Sequence, residues 1–146
     1  KQQFTKKTNF GEIFKGKRGI NQMYNTLLHS KGEYNTFGGG KRVSHDAMGK
    51  TWWKNLHARI KSKKIKARQV FDESIKEFGK ELSKISGSNV RYLPEEYEQL
   101  QETIIRGDLV GIAIFTENPY GVLIKDKAVA DGYRKQFEIL WNKAKK

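Results

Sequence analysis

Five consecutive residues hold the clearest chemical signal in this chain. Gly38-Gly39-Gly40-Lys41-Arg42 follows a strand-like run and precedes a helix-like one. Glycines let backbone N–H groups converge, a helix N-terminus adds partial positive charge, and two cations stand beside them. Such a corner suits a phosphate or carboxylate. The spacing is not the G-x4-G-K-[ST] of a nucleotide-binding loop, and a tight turn with positive φ explains the same glycines. The three histidines, His29, His45 and His57, form no H-x3-H pair. His45 and His57 would lie about 18 Å apart along one helix at 1.5 Å per residue, too far to share a metal. The chain has no cysteine, which excludes disulfides, thiolate metal sites and a cysteine nucleophile and fits a reducing cytoplasm. No metal or cofactor is expected.

The elements that must position these groups can be read from periodicity. Strands are expected at Thr8–Lys15, Glu33–Phe37, Lys66–Phe71, Val90–Leu93, Thr103–Arg106, Leu109–Phe115 and Tyr120–Lys125. Gly16 to Gly19 reads as a turn, and Gly107-Asp108 as a hairpin turn. Ile20, Met23, Tyr24, Leu27 and Leu28 recur at helical spacing. Ser44 is the expected N-cap of one long helix to about Lys63, with Met48, Trp52, Leu56 and Ile60 along one face. Adjacent helical residues diverge by about 100°. One of Trp52 and Trp53 should therefore face the core and the other a rim or partner, so this helix is expected to supply core and a dimer seam. Asp72-Glu73-Ser74 should cap a helix carrying Ile75, Phe78, Leu82 and Ile85. Asp126 should cap the last, with Val129, Ala130, Tyr133, Phe137, Leu140, Trp141 and Ala144 inward. Glu95 to Glu102 is acidic and ambiguous. We expect one α/β domain over residues 1–146.

Composition sets the outer limits. The chain has 146 residues, the size of one ordinary domain, with 17 aromatics for a core. The mean hydropathy is -0.77. No apolar run approaches the roughly 18 residues of a membrane span, so no membrane contact is expected. Net charge is +13, and it is uneven: residues 1–70 hold 17 Lys and Arg against 3 acids, residues 71–146 hold 12 against 13. A basic half attracts phosphate polymers; lysine-rich solvated surfaces are common without any partner. The densest run, Lys61 to Lys66, sits where cations favour a helix C-terminus.

The ending Gly121-Val122-Leu123-Ile124-Lys125-Asp126, Ala128-Val129-Ala130, Tyr133-Arg134, Phe137, Leu140-Trp141 resembles the close of a phospholipase D-type domain. Upstream, Glu12 to Ile20, then Tyr34 and Phe37-Gly38-Gly39, then Trp53 on a basic helix, resemble the C-terminal domain of TrmB-type archaeal transcriptional regulators. The resemblance runs from about Asn9 to Ala144. It implies a phospholipase D-like sandwich: a central mixed β-sheet with helices packed on it. It also implies a homodimer, a DNA-reading helix-turn-helix ahead of this domain, and a small-molecule effector such as a sugar or a phosphorylated metabolite. The chain opens at Lys1 without an initiator methionine, so we expect it to be a piece cut after that DNA-binding domain, with the basic half adding non-specific attraction to DNA.

Phospholipase D enzymes use H-x-K-x4-D followed by x6-G-S-x-N. Laid on this hairpin, the His position falls on Gln101, the Lys position on Thr103 and the Asp position on Asp108, with Phe115-Thr116-Glu117-Asn118 over G-S-x-N. The acid and the asparagine are kept; the nucleophile and the phosphate-binding cation are not. The chain is therefore expected to be no enzyme. Gly87-Ser88-Asn89 imitates part of the signature, but no H-x-K-x4-D precedes it; it reads as a helix stop. The expected ligand pocket, from where the family's phosphate site lies, is lined by Gly38, Gly39, Gly40, Lys41, Arg42, Gln101, Asp108, Thr116 and Asn118. The alternatives are a phospholipase D-like nuclease or phosphodiesterase, and a free-standing basic nucleic-acid-binding module.

Overall fold

The computed structural model of the chain describes residues 10–39 and 42–146, those from 42 to 44 in their backbone alone. Alternation of apolar residues builds the sheet. Its strands are β1 (Gly11–Lys15), β2 (Tyr34–Gly38), β3 (Ala67–Asp72), β4 (Asn89–Leu93), β5 (Gln101–Arg106), β6 (Leu109–Ile114) and β7 (Tyr120–Lys125). They lie in the order β1-β7-β6-β5-β2-β3-β4. β2, β3 and β4 run parallel, and every other neighbouring pair is antiparallel. Successive residues point to opposite faces, so Ile104 enters one core and Ile105 the other.

The helices are α1 (Gly16–Leu28), α2 (Arg42–Met48), α3 (Lys50–Ser62), α4 (Lys76–Ser86) and α5 (Lys127–Lys143). α1, α3 and α4 cover one face through Ile20, Met23, Tyr24, Leu27, Trp53, Leu56, Ile60 and Leu82. α5 covers the other through Ala130, Phe137 and Trp141, over Phe37, Val70 and Val110. Arg68 ties sheet to helix: it pairs with Glu33 at 2.9 Å and with Glu138 at 2.5 Å, and lies against the Phe137 ring at 5.1 Å.

Most expected elements hold, with five corrections. Helix α1 begins at Gly16, where a turn was expected. The long helix from Ser44 is two helices, because Gly49 at φ 88° breaks it; Ser44 lies inside α2 rather than at a cap. Asp72 does cap, accepting from Ser74 N–H at 2.8 Å, but it opens a 3-10 turn at Glu73–Ile75 ahead of α4. Val129 points outward from α5. Residues 8 and 9 of the first expected strand lie outside the described residues. Among the described residues, no helix is long and apolar enough to cross a membrane.

Candidate functional site

Three parallel strands end side by side: Gly38 on β2, Asp72 on β3 and Leu93 on β4. In open α/β sheets this carboxyl edge is where ligands bind. Strand β5 starts there because it runs antiparallel to β2, with Gly38 opposite Glu102. The Gly39 N–H donates to the Gln101 carbonyl at 2.8 Å. Gly38 has φ 87°, and a Cβ there would stand 2.3 Å from the Gln101 carbonyl oxygen. The backbone crossing therefore requires glycine.

The structure brings Gly38, Gly39 and Gln101 together, and Ile114, opposite Gln101, leads to Thr116. It does not bring Asp108 there. Asp108 sits in the turn at the far end of the β5–β6 hairpin, about 20 Å away at ~3.4 Å per residue. There it lines an open groove of about 610 Å³ with Glu12, Thr26, Ser30, Lys31 and Lys125. Thr116 is exposed and turns back on its own loop, donating to the Asn118 carbonyl at 3.1 Å. Asn118 lines a separate apolar cleft with Ile13, Pro119 and Tyr120. The expected single pocket is thus corrected to three places. Gly40 and Lys41 lie outside the described residues, as does the side chain of Arg42.

Under Gly38 the structure has a slot the sequence did not announce. It holds about 30 Å³, room for one small group, between Phe37, Phe71, Leu93, Tyr97 and Leu140. Asp72 and Gln99 line it, and among the described residues Asp72 Oδ2 and Gln99 Oε1 have no hydrogen-bond partner. Two acceptors without donors favour a hydroxyl or ammonium group over an anion. On the opposite face of β5, Glu102 is buried and accepts a hydrogen bond from the Tyr24 hydroxyl. Burial pushes its carboxyl up to about 7, against the smaller effect of that hydrogen bond. Burial also holds the Tyr24 hydroxyl well above its ordinary value, with the Glu102 charge adding to it.

None of the three histidines belongs to the hairpin itself. His29 follows α1 and bonds the Asn25 carbonyl. His45, packed edge-on against Phe78 at 4.9 Å, is pulled down to about 4 by burial. His57 is held by the Trp53 carbonyl at 2.9 Å and by Gln69 at 3.2 Å, and burial lowers its pKa too. Of the two tryptophans, Trp53 is buried and Trp52 half-buried, as expected of core and rim; the Trp52 indole N–H donates to Asn21 at 3.0 Å and its ring packs on Tyr24 at 5.1 Å, within the chain.

No family model matches the sequence, and no curated protein does. Solved structures do. TrmBL2, an archaeal chromatin protein whose structure shows a novel mode of DNA binding, matches 94% of this chain with TM-score 0.64 at 15% identity. The chain spans 54% of that protein, about half its length. Nuc, a phospholipase D family member from Salmonella typhimurium, matches 92% of the chain and 97% of its own, with TM-score 0.64 at 16% identity. NucT from Helicobacter pylori matches 92% and 96%, with TM-score 0.61 at 11% identity. The likeness is one of fold, and the resemblance read from the residues is borne out at that level: this chain has the phospholipase D fold.

Proposed function

We propose that the chain is a non-catalytic, effector-sensing and dimerisation domain of a TrmB-type DNA-binding regulator, working in the cytoplasm. One observation carries this reading. Where phospholipase D chemistry needs a histidine and a lysine, β5 presents Gln101 and the buried Thr103, with Glu102 turned to the opposite face. An amide does not attack phosphorus, and a threonine brings no positive charge to the phosphoryl oxygens. The likeness in fold to TrmBL2 supports the DNA-associated context. The slot with Asp72 and Gln99 admits one small group, and so supports an effector that inserts a single hydroxyl or ammonium there, a sugar before a phosphorylated metabolite. Exposed Phe10, Ile13 and Tyr120 near the β1 edge support a homodimer.

The test is a pair of assays on the chain. Incubation with bis(p-nitrophenyl) phosphate and with nicked and intact plasmid should give no turnover above buffer. A thermal-shift screen of sugars, sugar phosphates and amines should find a small molecule that raises the melting temperature of the parent chain but not of Asp72→Ala. Phosphodiester turnover that tracks the purified protein would overturn the non-catalytic reading. Stabilisation by no member of the screen would overturn the sensor reading.

A further inference from the structure

The end of the sheet opposite Gly38 carries a concentration of unpaired positive charge. Helix α3 stops in a tight turn: Ile65 N–H reaches the Ile60 carbonyl at 3.0 Å, and Lys64 N–H reaches the Lys61 carbonyl at 2.9 Å. This paired bonding requires a left-handed residue between them, a place that glycine usually fills. Here Lys64 fills it at φ 57°, the only non-glycine residue with positive φ among the described residues. The loop then runs into β3 beside the loop that enters β2, joined by the Tyr34 N–H on the Lys66 carbonyl at 2.9 Å. Lys31 precedes β2 and completes the rim. Lys31, Lys61, Lys63, Lys64 and Lys66 are all exposed, and among the described residues none forms an ion pair. Of the nearby acids, Glu33 pairs with Arg68 at 2.9 Å, and Glu12 and Asp108 share the open groove with Lys31 without an ion pair to it.

The helix macrodipole accounts for cations at Lys61 and Lys63, in the last turn. It does not account for a lysine in the left-handed position, nor for Lys66 and Lys31, which belong to strand entries. We infer that these five lysines are a docking ridge for the phosphate backbone of double-stranded DNA, at the end of the sheet remote from the effector slot. A row of exposed ammonium groups without ion pairs releases counterions from a duplex and reads no bases. The inference stands on charge and backbone geometry, and it holds whether or not the slot binds an effector.

Fluorescence anisotropy of a labelled 20-base-pair duplex against salt concentration tests it. Each phosphate contact contributes about −0.9 to the log–log slope. The fourfold variant K61Q/K63Q/K64Q/K66Q should flatten the slope by about 3 to 4 and weaken binding at least tenfold at low salt. The charge-matched variant K80Q/K135Q/K145Q/K146Q should stay within about twofold of the parent chain, since its lysines lie elsewhere. Lys64→Gly should raise the melting temperature by about 3 °C, by relieving the left-handed lysine, while flattening the slope by about one. Absence of binding by the parent chain, equal losses in both fourfold variants, or an unchanged slope in Lys64→Gly would overturn the ridge.

Discussion

A carboxyl group cut off from water folds more readily protonated than ionised, and Glu102 is such a group. Its pKa rises to about 7 on folding, so the native state holds a proton that the unfolded chain releases. Stability from this group is complete below the ordinary carboxylate range and is lost as pH climbs to about 7. Glu102→Gln keeps an acceptor for Tyr24 and removes the charge. It should match the parent chain near pH 4.5 and exceed it by roughly 2–3 kcal/mol at pH 8 in urea denaturation. Parallel pH profiles would show that Glu102 is not shielded. His45 has the opposite sign: its folded pKa of about 4 means stability falls as pH drops from 6.5 toward that value. His45→Phe should make the acid limb shallower. None of this was legible in the sequence. Glu102 closes an acidic stretch that named no element, and what encloses it is Gly39 above and Tyr24, 78 residues away. Gly38 and Gly39 were legible because a strand-to-helix turn leaves few residue types that fit.

At the scale of elements, Arg106 joins β5 to α1. Its guanidinium donates to the carbonyls of Leu27 at 3.0 Å, Leu28 at 2.7 Å and Gly32 at 2.9 Å. Leu27 and Leu28 close the last turn of α1, where carbonyls have no partner farther along the helix, and Gly32 lies in the loop that follows. Arg106→Met should cost about 3 kcal/mol, because it strands buried acceptors as well as losing charge-assisted bonds. Equilibrium unfolding would show it as a lower midpoint with an unchanged slope. At Lys64 glycine should be worth about 1 kcal/mol more than lysine. Strands and amphipathic helices were readable here because each buries one face, and the alternation survives in the sequence. The break at Gly49 was not. Met48, Trp52, Leu56 and Ile60 keep their spacing of four across it, and a single glycine inside a helical pattern does not by itself announce a stop. The separation of Asp108 from Gln101 was hidden for another reason. Motif spacing counts residues along the chain, whereas an extended hairpin carries its turn far from its open end.

For the whole molecule, the two sheet edges differ. The β4 edge is covered: Tyr92 and Lys145 exchange backbone hydrogen bonds of 2.6 and 2.9 Å. The β1 edge pairs only with β7 and displays Ile13 at 65% exposure. An open edge with an apolar side chain invites pairing between copies. Sedimentation equilibrium should find a dimer, and Ile13→Lys should shift it to monomer with little change in unfolding midpoint; a parent chain that sediments as a monomer would rule this edge out. The same edge strand has a consequence for how the protein is made. β1 emerges about a hundred residues before β7, its sole strand partner, which at 5–20 residues per second is a wait of roughly 5–20 s. Throughout that interval Ile20, Met23 and Leu27 of α1 lack the strands β6 and β7 they will cover. A ribosome translating this chain should therefore present a bare apolar helix and an unpaired strand to chaperones at its exit until β7 has emerged.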